Sequence, residues 1–77
     1  MTTTIDVHGL FVDEAIKKIK ETINKNPNTD LIEVIHGYNG GFSIKNYLRT
    51  NGKSISRRIS VIVEKPSNSG ITLLYLK

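Results

Sequence analysis

The sequence predicts an α/β fold with its elements in the order βαβαββ. Three observations carry this. Apolar residues recur with helical spacing from Val12 to Ile23, a short run at Leu31–Ile35 is nearly all apolar, and two more apolar runs follow a second, shorter helical pattern. At 77 residues the chain is expected to form one domain spanning 1–77, near the lower size at which a single core suffices. It has no cysteine, so no disulfide braces it and no thiolate holds a metal. Burial of its 38% hydrophobic residues must stabilise it instead.

Ile5 and Val7, beside a run of threonines, predict a first strand that stops near His8. Val12, Ala15, Ile16, Ile19 and Ile23 share one stripe and predict a helix from Val12 to Lys25. Asp13 and Glu14 suit the positive end of its dipole, and Pro27 in "NKNPNTD" stops it. "LIEVI", Leu31 to Ile35, predicts a strand covered on both faces in a parallel sheet. Beyond "HGYNGG", residues Ser43 to Thr50 predict a short helix with Ile44, Tyr47 and Leu48 inward and Lys45, Asn46 and Arg49 outward. "NGKS" turns the chain, Arg58 to Glu64 predicts a third strand, "KPSNSG" a loop, and Ile71 to Leu76 a fourth strand.

Eleven Lys and Arg stand against seven acids, a net charge of +4, which favours polyanionic partners through phosphate neutralisation. No run approaches the roughly 18 apolar residues of a membrane span, and "MTTTIDVHG" does not have the pattern of a signal peptide. The expectation is a soluble cytoplasmic protein with no membrane partner.

The only two histidines, His8 and His36, each end a predicted strand and each precede a glycine. Strands joined by a crossover helix run parallel, so both junctions fall on one edge of the sheet, where open α/β sheets bind ligands. The repeat therefore predicts two imidazoles and two helix N-termini around one crevice. Asp6 lies two residues before His8 and so points to the same side of a strand. A carboxylate there can fix the imidazole tautomer for acid–base chemistry. The spacing equally fits a structural role, with Asp6 bonding loop amides and His8 packing on the first helix. In "GYNGGFS", Gly37, Gly40 and Gly41 allow backbone amides to line up ahead of the second helix, and Ser43 either caps it or touches a phosphate.

These residues resemble a known family. "IDVHGL" followed by "VDEA" is similar to the Leu-Asp-x-His-Gly-Leu opening of the small MutS-related (Smr) domain. "IEVIHGYNGGFSIKNYL" resembles its second motif, a strand ending in Thr/His-Gly-x-Gly before a helix, and "SGITLLYL" its closing Gly-x-Thr strand. The resemblance spans essentially the whole chain as a stand-alone short form. It implies a two-layer α/β sandwich with a mixed four-stranded sheet and two helices, like the C-terminal domain of bacterial translation initiation factor three. It also implies nucleic-acid binding, with endonuclease or nicking activity on DNA or RNA in some members. Carried across, it makes Asp6 and His8 the catalytic centre and His36 and Gly37 the start of the glycine motif. Gly37, with Gly40, Gly41 and Ser43, becomes the phosphate cradle. Three positions depart from the pattern: Ile5 replaces Leu, Phe11 stands where a Thr often caps the helix, and Asn39 takes the place of the second motif's glycine.

Three functions follow from this reading. The first is a phosphodiesterase with Asp6, His8 and His36 at its centre. No tight carboxylate cluster provides for a metal, so no cofactor is required; a divalent ion such as Mg2+, held by Asp6 and a phosphate oxygen, is the option left open. The second is a non-catalytic module for RNA or branched DNA, on its own or ribosome-associated. There Lys45, Arg49, Lys53, Arg57 and Arg58 follow the backbone and Tyr38 stacks on a base. The third is an adaptor that uses "ITLLYL" as a contact strand. The chain is expected to act as a monomer, alone or with a larger complex.

Overall fold

The computed structural model describes residues 1–37 and 42–77. Its elements follow in the order β1 (Thr2–Asp6), α1 (Val12–Lys25), β2 (Leu31–Ile35), α2 (Phe42–Asn51), a 3-10 turn (Gly52–Ser54), β3 (Ile59–Lys65) and β4 (Asn68–Leu76). The strands make one mixed sheet in the order β1-β2-β4-β3. β1 and β2 are parallel, and β4 lies antiparallel between β2 and β3.

Alternation along the strands decides what the helices cover. Ile5 and Val7 from β1 and its end, Ile32 and Val34 from β2, Ile59 from β3, and Leu74 and Leu76 from β4 form one cluster. Ala15, Ile19 and Ile23 of α1 and Ile44 and Leu48 of α2 close it from the other side. The stripe read from the sequence is thus the buried face of α1. Strand residues of the opposite parity, including Leu31, Glu33, Ile35, Val61, Val63, Ile71, Leu73 and Tyr75, belong to a face that carries no helix.

The expectation that β2 is covered on both faces is therefore corrected. Leu31, Glu33 and Ile35 are only half-buried, shielded sideways by their cross-strand partners Tyr75, Leu73 and Ile71. Lateral contact between neighbouring strands was enough to favour an apolar run. The expected loop at "KPSNSG" is also shorter than predicted. Pro66 and Ser67 alone turn the chain, and β4 begins at Asn68, because pairing with β3 extends the strand backwards. β3 is an outer strand with two register shifts, between Ile59 and Val61 and between Glu64 and Lys65.

Arg58 does not join the strand or present itself to a phosphate chain. Its guanidinium reaches the end of α1, donating to the carbonyls of Ile23 at 3.1 Å, Asn26 at 3.3 Å, Pro27 at 3.0 Å and Thr29 at 2.8 Å. It satisfies carbonyls that the helix end and the loop after it leave over, and places a cation at the negative end of the dipole. Among the described residues no helix is long and apolar enough to cross a membrane.

Replacing Arg58 with Met keeps the aliphatic stem but leaves these carbonyls without their donor. Thermal unfolding followed by circular dichroism should show a loss of about 2 kcal/mol, a drop in Tm of roughly 8–16 °C. Arg58→Lys should recover only part, because one ammonium cannot span carbonyls that a planar fork can reach.

Candidate functional site

β1 and β2 end side by side, and the residues just beyond them make the site. The pairing Asp6↔Ile35 closes the β1–β2 ladder, and Val7 donates to the Ile35 carbonyl at 2.9 Å. Extending that register sets Val7 opposite His36 and His8 opposite Gly37. A Cβ on Gly37 would indeed lie 3.6 Å from the His8 Cβ. The two histidine-glycine pairs are thus offset by one residue, and one residue in a strand reverses the side chain's face. His8 is exposed, its side chain 70% accessible, whereas His36 is 0% accessible.

This corrects the expectation that both imidazoles open onto one crevice. His36 belongs to the helix-covered face. Its Nδ1 lies 3.2 Å from the carbonyl oxygen of Gly37, which can only accept, so Nδ1 carries the proton. Nε2 then accepts from the Thr72 hydroxyl at 2.8 Å. The backbone N–H groups of His36 and Gly37 both donate to the Gly70 carbonyl, each at 3.0 Å. A side chain on Gly70 would stand 3.4 Å from the Gly37 backbone. Gly70 and Thr72 are the glycine and threonine of "SGITLLYL". Their spacing serves His36: the first lets β4 approach and the second holds the ring. Burial lowers the pKa of His36 and the nearby Lys45 cation adds to this, while the Gly37 carbonyl and Glu64 oppose it. The ring is neutral and holds the junction in place rather than exchanging protons with a ligand.

Asp6 and His8 do form a pair. Asp6 Oδ1 accepts from the His8 backbone N–H at 3.0 Å and faces His8 Nδ1 at 2.5 Å. The hydrogen bond from the imidazole, then that from the backbone, lower the Asp6 pKa, with Lys18 contributing. Asp6 is therefore an anion that accepts from Nδ1, which leaves Nε2 as the ring nitrogen turned away from the carboxylate. Both the structural and the chemical reading of the sequence hold a part of this: Asp6 does bond a loop amide, and it orients the ring as well. Gly9, at φ +80°, turns the chain from His8 toward α1.

The sequence reading missed Lys18. Its Nζ donates to the Asp6 carbonyl at 2.9 Å, placing a cation beside the pair. The signal lay in its position four residues after Glu14, on the exposed side of α1. Two aromatic residues stand at the helix starts, of which the sequence reading noted only Phe11, as a departure at the cap. Phe11 is the N-cap of α1 and Phe42 the first residue of α2, and both are strongly exposed. Phe11 offers no side-chain acceptor to the helix, and only Glu14 supports this end, accepting from the Phe11 N–H at 3.0 Å.

Around the second junction, Gly37, Phe42, Lys45 and Ser69 line a cavity of about 170 Å³. Ser43 lies exposed in the first turn of α2. Lys45 is partly engaged, 3.2 Å from Glu64. Arg49 sits a turn further along, bonds Asn46, and lines an open groove of about 500 Å³ with Lys53 and β3. That groove is at the helix's C-terminal end, where the dipole disfavours anions. Tyr38, Asn39, Gly40 and Gly41, expected to stack on a base or to complete the glycine turn, lie outside the described residues. Among the described residues no three His, Asp or Glu side chains gather as metal ligands. Asp6 is the carboxylate beside His8, so a Mg2+ ion would have to complete its shell from phosphate and water oxygens.

No protein-family model matches the chain, and no curated protein does. Among solved structures, the Smr domain of Thermus thermophilus MutS2 aligns with a TM-score of 0.82, covering 97% of this chain and 98% of that one. This chain has the Smr fold. At 19% identity the likeness is one of backbone architecture, so the chemistry of this Smr-like edge rests on its own side chains.

The buried state of His36 makes folding sensitive to acid. The unfolded chain binds a proton at His36 near pH 6.5, the folded chain only at lower pH. Stability from this group is complete above pH 6.5 and falls as the pH drops below it. Urea unfolding between pH 7.5 and 5 should show that decline, and His36→Gln should lose that part of it while starting from a lower midpoint.

Proposed function

We propose that residues 1–77 act as one Smr-like domain that binds nucleic acid at the carboxyl edge of β1 and β2. We further propose that it cleaves a phosphodiester bond there, with His8 as the proton-transfer group. The observation that carries this is the Asp6–His8 pair. An exposed imidazole has one nitrogen fixed by a carboxylate at 2.5 Å and no hydrogen bond at the other among the described residues.

In this reading, Nε2 of His8 takes the proton of an attacking water or hydroxyl as its oxygen bonds to phosphorus. The P–O bond to the leaving oxygen breaks, and that oxygen takes up a proton from the imidazolium or from solvent. Asp6 stabilises the imidazolium that forms between these steps. The ammonium groups of Lys18 and Lys45 and the N-terminal ends of α1 and α2 favour the phosphate. Net charge of +4 supports a polyanionic partner. DNA and RNA both fit this chemistry.

One observation favours the second reading, a binding module without cleavage. His36 is buried, so a single imidazole attends the site and the acid and base roles cannot be divided between two rings. The two readings separate in one experiment. Labelled DNA and RNA strands are incubated with the wild type and with His8→Ala, with and without magnesium, and binding is measured in parallel.

Under the first reading His8→Ala lowers cleavage by about 10²–10⁴-fold while affinity stays nearly unchanged. Intact substrate with the wild type, together with affinity that falls steeply as salt rises, leaves the binding module. Equal cleavage by both proteins removes His8 from the mechanism.

A further inference from the structure

We infer that Phe11 and Phe42 form a stacking platform for the bases of an unpaired strand, so that the nucleic acid taken at this edge is single-stranded. The inference rests on the nucleic-acid reading above and specifies its substrate. Phe11 is 77% accessible and Phe42 70%, and neither ring joins the core cluster. Both helices follow parallel strands, so Phe11 and Phe42 both stand at helix starts on the edge that bears Asp6 and His8.

Phe11 is there against the local interest of the fold. An N-cap position rewards Ser, Thr, Asp or Asn, whose side chains accept from the first free amides of the helix. Phenylalanine cannot do this, and its ring gains nothing from burial in return. A residue that breaks a local rule without a packing gain points to a role outside the fold. Phe42 repeats the situation at the start of α2, exposed and followed by the exposed Ser43.

The surroundings select the partner. Lys45 lines one cavity with Phe42 and Gly37, while α1 opens with the acids Asp13 and Glu14 and its Lys18 lies further along, reaching the Asp6 carbonyl at the first junction. Aromatic faces beside cations are how proteins hold unpaired nucleotides, the cations taking the phosphates and the rings the bases. A continuous duplex keeps its base faces stacked on each other, so it offers the rings nothing. A protein partner would call for a contiguous apolar patch, whereas polar Asp13 and Glu14 follow Phe11 in the first turn of α1.

The test measures fluorescence anisotropy with the full chain and oligonucleotides of about twelve residues. The probes are oligothymidylate, oligouridylate, an abasic strand of the same length, and a blunt duplex. The wild type should prefer the unpaired strands. Phe11→Ala and Phe42→Ala should each weaken them by about five- to hundredfold, with the duplex and the abasic strand unaffected. Phe11→Ser should give the same loss while raising Tm, since it installs a capping hydroxyl, which separates lost stacking from lost folding.

Variants that bind unpaired strands as the wild type does, or that lose abasic and duplex binding equally, overturn the platform but leave nucleic-acid binding standing. A dimer seen by sedimentation that Phe→Ala dissolves, with oligonucleotide affinity unchanged, also overturns it. A wild type that binds no strand at low salt removes both this inference and the function it rests on.

Discussion

The buried ring of His36 is the constraint on which the working edge depends. It ties the end of β2 to β4 through Thr72, and to its own following turn through the Gly37 carbonyl. The Gly70 carbonyl, receiving two N–H groups, completes the knot. Without it the chain leaving β2 would have no defined path, and nothing would fix Gly37 beside His8. The neutral state of the ring is part of the device, because burial at that depth disfavours an imidazolium more than the Gly37 carbonyl and Glu64 favour it. One histidine sets the geometry that the other uses.

Much of the architecture was legible from spacing. The stripe is helical in the sequence, with Ala15, Ile19 and Ile23 buried in the fold and Val12 packed against them at the edge, and α1 spans Val12–Lys25 as the stop at Pro27 required. The order of elements and the parallel start of the sheet followed from the crossover. What escaped was register. Asp6–His8 could be read as a pair because both members lie on one strand, two apart. The relation of His8 to His36 depends on how β1 slides along β2, which no local pattern records. Identical dipeptides therefore looked equivalent and ended on opposite faces.

The role of Arg58 escaped for a related reason. Its partners are the carbonyls of Ile23, Asn26, Pro27 and Thr29, about thirty residues away in the chain. Backbone acceptors have no sequence signature. Counting cations thus overstates the charge free for a ligand: Arg58 holds a helix end, while Lys45 faces Glu64 and Lys65 faces Glu33. The closing "GIT" of the chain was legible only as a pattern, and its meaning came from seeing Gly70 and Thr72 attend the same imidazole.

The uneven outer strand has a consequence of its own. β3 leaves one side of its backbone without a neighbouring strand, and Val61 and Val63 stand exposed on it. A straight, sticky border of that sort would recruit identical molecules and grow into fibres. The displaced pairings at Ile59–Val61 and Glu64–Lys65 bend the border, and the charged pair with Pro66 closes its far corner. Kinks of this kind, which look like imperfections in a ladder, are a recognised way of making an outer strand a poor template for another chain.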